Sequence, residues 1–130
     1  IDVGYRARIF GYENWYVPAA LVYHVGSGTS GSRYNQFKTR YSSRNNIYLI
    51  YKNMPFLQIL LNLPFLILGF GMKILFFTQK GMGREYIAGI KNGFQISHRD
   101  KKVKFKLKNL EQYIKIQLEL WGNLFYRFFA

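Results

Sequence analysis

The chain has 130 residues, enough for one domain at most. It is 49% hydrophobic and 19% aromatic, and its 19 basic residues against 6 acidic ones give a net charge of +13. That charge calls for an anionic partner, the apolar content turns the expectation toward a membrane surface, and the absence of cysteine excludes a disulfide framework and a thiolate metal site.

The opening stretch, IDVGYRARIFGYE, has neither an initiator Met nor a signal-peptide layout, and it starts inside a helical pattern. It reads as the C-terminal piece of a longer chain or as a truncated reading frame. Val3, Ala7 and Phe10 fall at i, i+4 and i+7, with Arg6 and Arg8 off that line. This spacing predicts a short amphipathic helix with Asp2 as N-cap and Gly11 as C-cap. NWYV and ALVYHV, divided by Pro18, predict two short strands or one interrupted edge strand. A Gly/Ser loop spans 26–32. From 33 to 53 the chain is helix-like, with Phe37, Tyr41 and Tyr48 on one face. Arg33, Lys38, Arg40, Arg44 and Lys52 surround that face, a pairing of aromatic and cation suited to a headgroup region.

MPFLQILLNLPFLILGFGMKILFF, 54–77, carries one charge, Lys73, and is long enough to cross a hydrocarbon core of about 30 Å. Pro64, Gln58 and Asn62 interrupt it, and both flanks are basic, with Arg44 and Lys52 before and Lys80 and Arg84 after. A spanning helix usually has one basic side. The leading expectation is therefore two interfacial or re-entrant helices hinged at Asn62–Pro64. A single span is the second reading and a buried soluble core the third. GREYIAGIKNGFQIS predicts another helix, with Tyr86, Ile90 and Phe94 in line. HRDKKVKFKLK has seven charges in eleven residues and reads as a solvated or lipid-facing linker. Lys101, Lys102, Lys104 and Lys106 in that linker, with Lys73, are the candidate membrane-contacting cations. The segment 109–129 is amphipathic at helical spacing through Leu110, Tyr113, Ile114, Gln117, Leu120, Trp121, Leu124 and Phe128. The expected organisation is 1–53, then a hydrophobic membrane-associated region 54–98, then a basic linker and amphipathic helix 99–130.

His24 ends the second predicted strand, just before the loop. By spacing it is either an ordinary strand-end histidine or a ligand beside a glycine-rich loop, where backbone N–H groups can approach phosphate oxygens. Residues 26–31, GSGTSG, match neither the P-loop nor the dinucleotide pattern. Arg44 and Asn45 are either a solvated helix face or a phosphate contact, for which Arg is well shaped. The sequence holds no nucleophilic triad, no paired carboxylates and no Cys/His cluster, so no catalytic residue is assigned.

The ordered landmarks DVGYRARIFGYENWYVPAALVYHVGSGTSG and RYSSRNNIYLIYKNMP, from Asp2 to Pro55, resemble the C-terminal half of family-2 glycosyltransferases of the GT-A fold, in the rhamnosyltransferase-like group. The resemblance implies an α/β fold: the C-terminal fragment of a Rossmann-like domain, followed by membrane-associated helices. It implies a nucleotide-sugar donor, Mg²⁺ or Mn²⁺ on its diphosphate, and inverting transfer of a sugar such as rhamnose to a lipid-linked or polysaccharide acceptor. The location implied is the cytoplasmic face of the cell membrane, peripheral or single-span. By the same resemblance Asp2 is the remnant of an acidic motif, and His24 closes the metal–diphosphate site. Gly26, Ser27, Gly28 and Thr29 form the loop over the donor, and Arg44 and Asn45 lie near the diphosphate or the acceptor. The catalytic base would precede Ile1 and the N-terminal half with its Asp-x-Asp motif is missing, so this chain alone is expected to be inactive. The alternative is a non-enzymatic basic module that binds membrane or nucleic acid. Nucleic acid is disfavoured, because the basic residues form no groove-reading motif and 54–77 would have no use there.

Overall fold

The structure, a computed structural model, describes residues 1–23, 32, 34–99 and 101–129. Its elements are α1 (Asp2–Ile9), α2 (Gln36–Asn53), α3 (Phe56–Gln79), α4 (Gly83–Ser97), a 3₁₀ turn (Leu107–Asn109) and α5 (Leu110–Phe129). The described residues contain no strand. The α/β expectation is therefore wrong, and with it the assignment to a Rossmann-like GT-A fragment. Of the stretches predicted as strands, 14–17 and 20–25, residues 24–25 lie outside the described residues, and 14–17 and 20–23 lie in irregular backbone. Their β-branched and aromatic side chains favour a pleated, half-buried surface, but here they have no such surface. Trp15, Tyr16 and Tyr23 are 82%, 87% and 90% exposed.

The chain divides into two compact units, residues 1–18 with 104–130, and residues 19–103. In the first, α1 packs on α5. Ile1, not Asp2, is the N-cap; Asp2 sits in the first turn, 2.9 Å from the Arg6 guanidinium. Gly11, at φ +85°, ends α1. The Tyr12 N–H donates to the Ala7 carbonyl and the Gly11 N–H to the Arg8 carbonyl, each at 3.0 Å, which is the Schellman arrangement. The buried position of α1 is Ile9, while Val3 and Phe10, expected inside, are exposed. On α5, Tyr113, Ile116 and Gln117 are buried, whereas Leu110 and Ile114 of the expected stripe are largely exposed.

In the second unit, α2 begins with Asn35, whose Oδ1 accepts from the Lys38 N–H at 2.7 Å. It stops at Asn53 because Met54 precedes Pro55 and is pushed to extended backbone, at ψ 128°. The stretch expected to break at Asn62–Pro64 is one continuous helix of 24 residues. Pro64 removes the N–H that would reach the Leu60 carbonyl, but does not end the helix. One turn earlier, Asn62 Nδ2 donates to the Gln58 carbonyl at 2.7 Å. A three-residue turn then reverses the chain. Gly81, at φ +72°, lets the Met82 N–H reach the Phe77 carbonyl at 2.7 Å and its own N–H reach the Thr78 carbonyl at 3.0 Å. The helix expected over 83–97 is α4.

Candidate membrane-binding surface

Apart from Ile47 and Tyr86, the buried residues described in the 19–103 unit are small or polar, where a water-soluble bundle would bury large apolar ones. The face of α2 that meets α4 is Thr39, Ser43 and Ile47; the opposing face of α4 is Gly89, Gly93 and Ser97. Both faces repeat at i, i+4, the spacing that stacks side chains along one side of a helix. A Cβ added to Gly89 would lie 1.9 Å from Ser43 Oγ and 2.2 Å from the Arg40 carbonyl, and one on Gly93 would lie 2.7 Å from Ile47 Cβ. Small residues at a close helix crossing are the usual device where water does not drive helices together. Of the line expected on α4, Tyr86 is buried and Phe94 is exposed; on α2, Phe37 and Tyr41 of the face read as suited to headgroups are exposed.

α3 has the same inversion. Its buried positions are Gln58 and Asn62, and only 6% of its most apolar 18-residue window is buried. Phe56, Leu60, Ile67, Leu68, Met72 and Leu75 are all exposed. At 1.5 Å per residue its 24 residues run about 36 Å, more than the roughly 30 Å of a hydrocarbon core. Among the described residues it is the one helix long and apolar enough, by length and composition, to cross a membrane.

Cations gather at its ends. Lys52 Nζ lies 5.5 Å from the Tyr48 ring before α3, and Lys80 Nζ lies 5.9 Å from the Phe76 ring after it. Lys73 is exposed on α3, about one and a half turns from its C-terminus, within reach of an interface by snorkelling. Lys102 Nζ sits 5.1 Å from the Tyr51 ring, and burial lowers its pKa below the usual lysine value. The adjacent Val103 N–H donates to the Lys52 carbonyl at 2.8 Å. Lys101 is exposed; in the other unit Lys104 and Lys106 are exposed, and Lys106 Nζ lies 6.0 Å from the Phe10 ring.

Arg44 and Asn45 come together on α2. Arg44 Nε and Nη2 both donate to Asn45 Oδ1, at 3.1 and 3.0 Å, and the guanidinium lies 4.3 Å over the Tyr41 ring. Asp2 is held by Arg6 in the other unit. His24 and Gly26, Ser27, Gly28 and Thr29 lie outside the described residues. Among the described residues no three His, Cys, Asp or Glu side chains converge on a metal position. Sequence reasoning missed Gly89 and Gly93, although their spacing with Ser97 was the available signal.

No protein family, curated protein or solved structure matches the chain. With no relative to support it and a helical fold against it, the glycosyltransferase resemblance is withdrawn.

Proposed function

We propose that the chain is a non-enzymatic basic module that anchors to an anionic membrane, with α3 in the hydrocarbon and the cationic aromatic ends of its unit at the headgroups. The observation that carries this reading is the inverted burial of α3, with Gln58 and Asn62 inside and leucine, isoleucine and phenylalanine outside. Exposing that much contiguous apolar surface to water would be costly, at roughly 25 cal/mol for each Å² left unburied. In lipid the same surface is solvated, and the small polar interior supplies the helix contacts.

The charge distribution supports an anionic leaflet. Fifteen of the nineteen basic residues lie between 33 and 108, against two of the six acidic ones. Each Lys or Arg near such a surface contributes about 1 kcal/mol. The cytoplasmic leaflet is the anionic one in most cells, and it is the location we assign. Flotation of the purified chain with vesicles tests the reading. Co-flotation that resists alkaline carbonate is expected; a chain that stays at the bottom of the gradient with both neutral and anionic vesicles would overturn it.

A further inference from the structure

We propose that the groove between α2 and α4 binds the phosphodiester of an anionic phospholipid headgroup, with Arg44 and Arg40 as its cationic arms; this rests on the membrane reading above. The groove encloses about 510 Å³ and is lined by Phe37, Arg40, Tyr41, Arg44, Glu85 and Asn92, among others. Arg44 is oriented before any ligand arrives. Its Cζ lies 4.3 Å from the Tyr41 ring centroid, and two of its nitrogens donate to Asn45 Oδ1. The Nη1 edge has no acceptor among the described residues, and a planar guanidinium edge matches two phosphate oxygens. Arg40 is held more loosely, with Nη1 3.8 Å from Glu85 Oε2. That is beyond hydrogen-bond length, so an anion can draw it away at little cost.

Charge and shape select the ligand. Two arginines and one glutamate leave the groove one positive charge, which balances a phosphodiester monoanion better than a free phosphate carrying up to two charges. Asn92 adds a neutral amide for an ester or glycerol oxygen. Phe37 and Tyr41, with ring centroids 4.4 Å apart, form an exposed aromatic rim. Such a rim has no role for an ion in water, but gives the start of an acyl chain an apolar wall at interface depth.

The test uses the full chain in phosphatidylcholine nanodiscs into which phosphatidylglycerol is titrated, read by the side-chain Nε–H resonances of Arg40 and Arg44. Saturable shifts of these two are expected. Arg44→Lys, which keeps the charge but loses the fork and its orientation, should weaken the response about tenfold. Glu85→Gln should tighten it, a gain that no folding defect can mimic. Equal response in Arg44→Lys, uniform shifts of every Arg, or saturation of the same resonances by inorganic phosphate or a single-stranded oligonucleotide would each overturn the proposal. A chain that enters the nanodisc but shows no Arg40 or Arg44 response overturns the groove alone. A chain that does not enter the nanodisc overturns the membrane reading and the groove with it.

Discussion

Ser43 Oγ on α2 occupies the place that a side chain at position 89 of α4 would need: a Cβ there would lie 1.9 Å from it. Glycine is therefore the only residue that lets the two helices meet at this separation. Gly89→Ala is expected to destabilise the unit by about 3 kcal/mol or more, by forcing α4 off α2. Gly122→Ala, on α5 with nothing within 4 Å, should be neutral or stabilising by up to about 1 kcal/mol. Denaturant unfolding in detergent, followed by circular dichroism, compares the two.

Leu68 lies near the middle of α3 and is 53% exposed. An arginine there would be within about ±0.5 kcal/mol of neutral on a water-facing surface. At the centre of a membrane helix it costs about 2.5–3.5 kcal/mol of insertion. Leu68→Arg should therefore markedly reduce the carbonate-resistant fraction, while retaining helicity in detergent.

The Lys101–Lys106 segment should act through charge. Neutralising Lys101, Lys102, Lys104 and Lys106 together is expected to weaken vesicle binding by about 1 kcal/mol per residue on anionic membranes. Binding to neutral vesicles should barely change. Raised salt should erase the difference between variant and parent.

Arg8 and Glu119 join α1 to α5 through two bonds, at 2.8 and 2.6 Å. The hydrogen bond to the Arg8 guanidinium holds the Glu119 carboxyl below its usual pKa, and the same bond raises that of Arg8. A carboxylate with a depressed folded-state pKa stabilises the fold above its unfolded value of about 4.3. That contribution disappears as pH falls through the lower folded value. Because the Glu119 side chain is 53% exposed, the pair contributes no more than about 1 kcal/mol. Glu119→Gln should lower stability by up to about 1 kcal/mol at neutral and alkaline pH and change it little at low pH, where the carboxyl is already protonated, so that this part of the acid limb of a stability–pH curve disappears.

The helices were more legible in the sequence than their packing. The helical stretches read over 33–53 and 83–97 are α2, Gln36–Asn53, and α4, Gly83–Ser97. The inward faces were misread because a stripe of large apolar residues marks the core only when the outside is water. On α4 the expected line is split, with Tyr86 buried and Phe94 exposed, and the packing signal is the small-residue repeat Gly89, Gly93, Ser97 against Thr39 and Ser43 of α2, on whose other side Phe37 and Tyr41 are exposed. Pro64 and Asn62 suggested a hinge, yet one lost backbone bond does not end a helix of 24 residues. The strands predicted over 14–17 and 20–25 failed, in the described residues 14–17 and 20–23, for a different reason: propensity specifies a strand only when a neighbour completes its ladder. Of the candidate site residues, Arg44 and Asn45 proved to be structural neighbours, whereas His24 and its loop fall outside the described residues.

The central claim is that the apolar outer surface of α3 faces lipid. The chain has no native cysteine, so single cysteines at Leu60, Ile67 and Leu68 can each carry one spin label. In anionic vesicles the account predicts labels open to oxygen and closed to a water-soluble nickel complex at all three positions. Access of the nickel complex to all three would place α3 in water and contradict it.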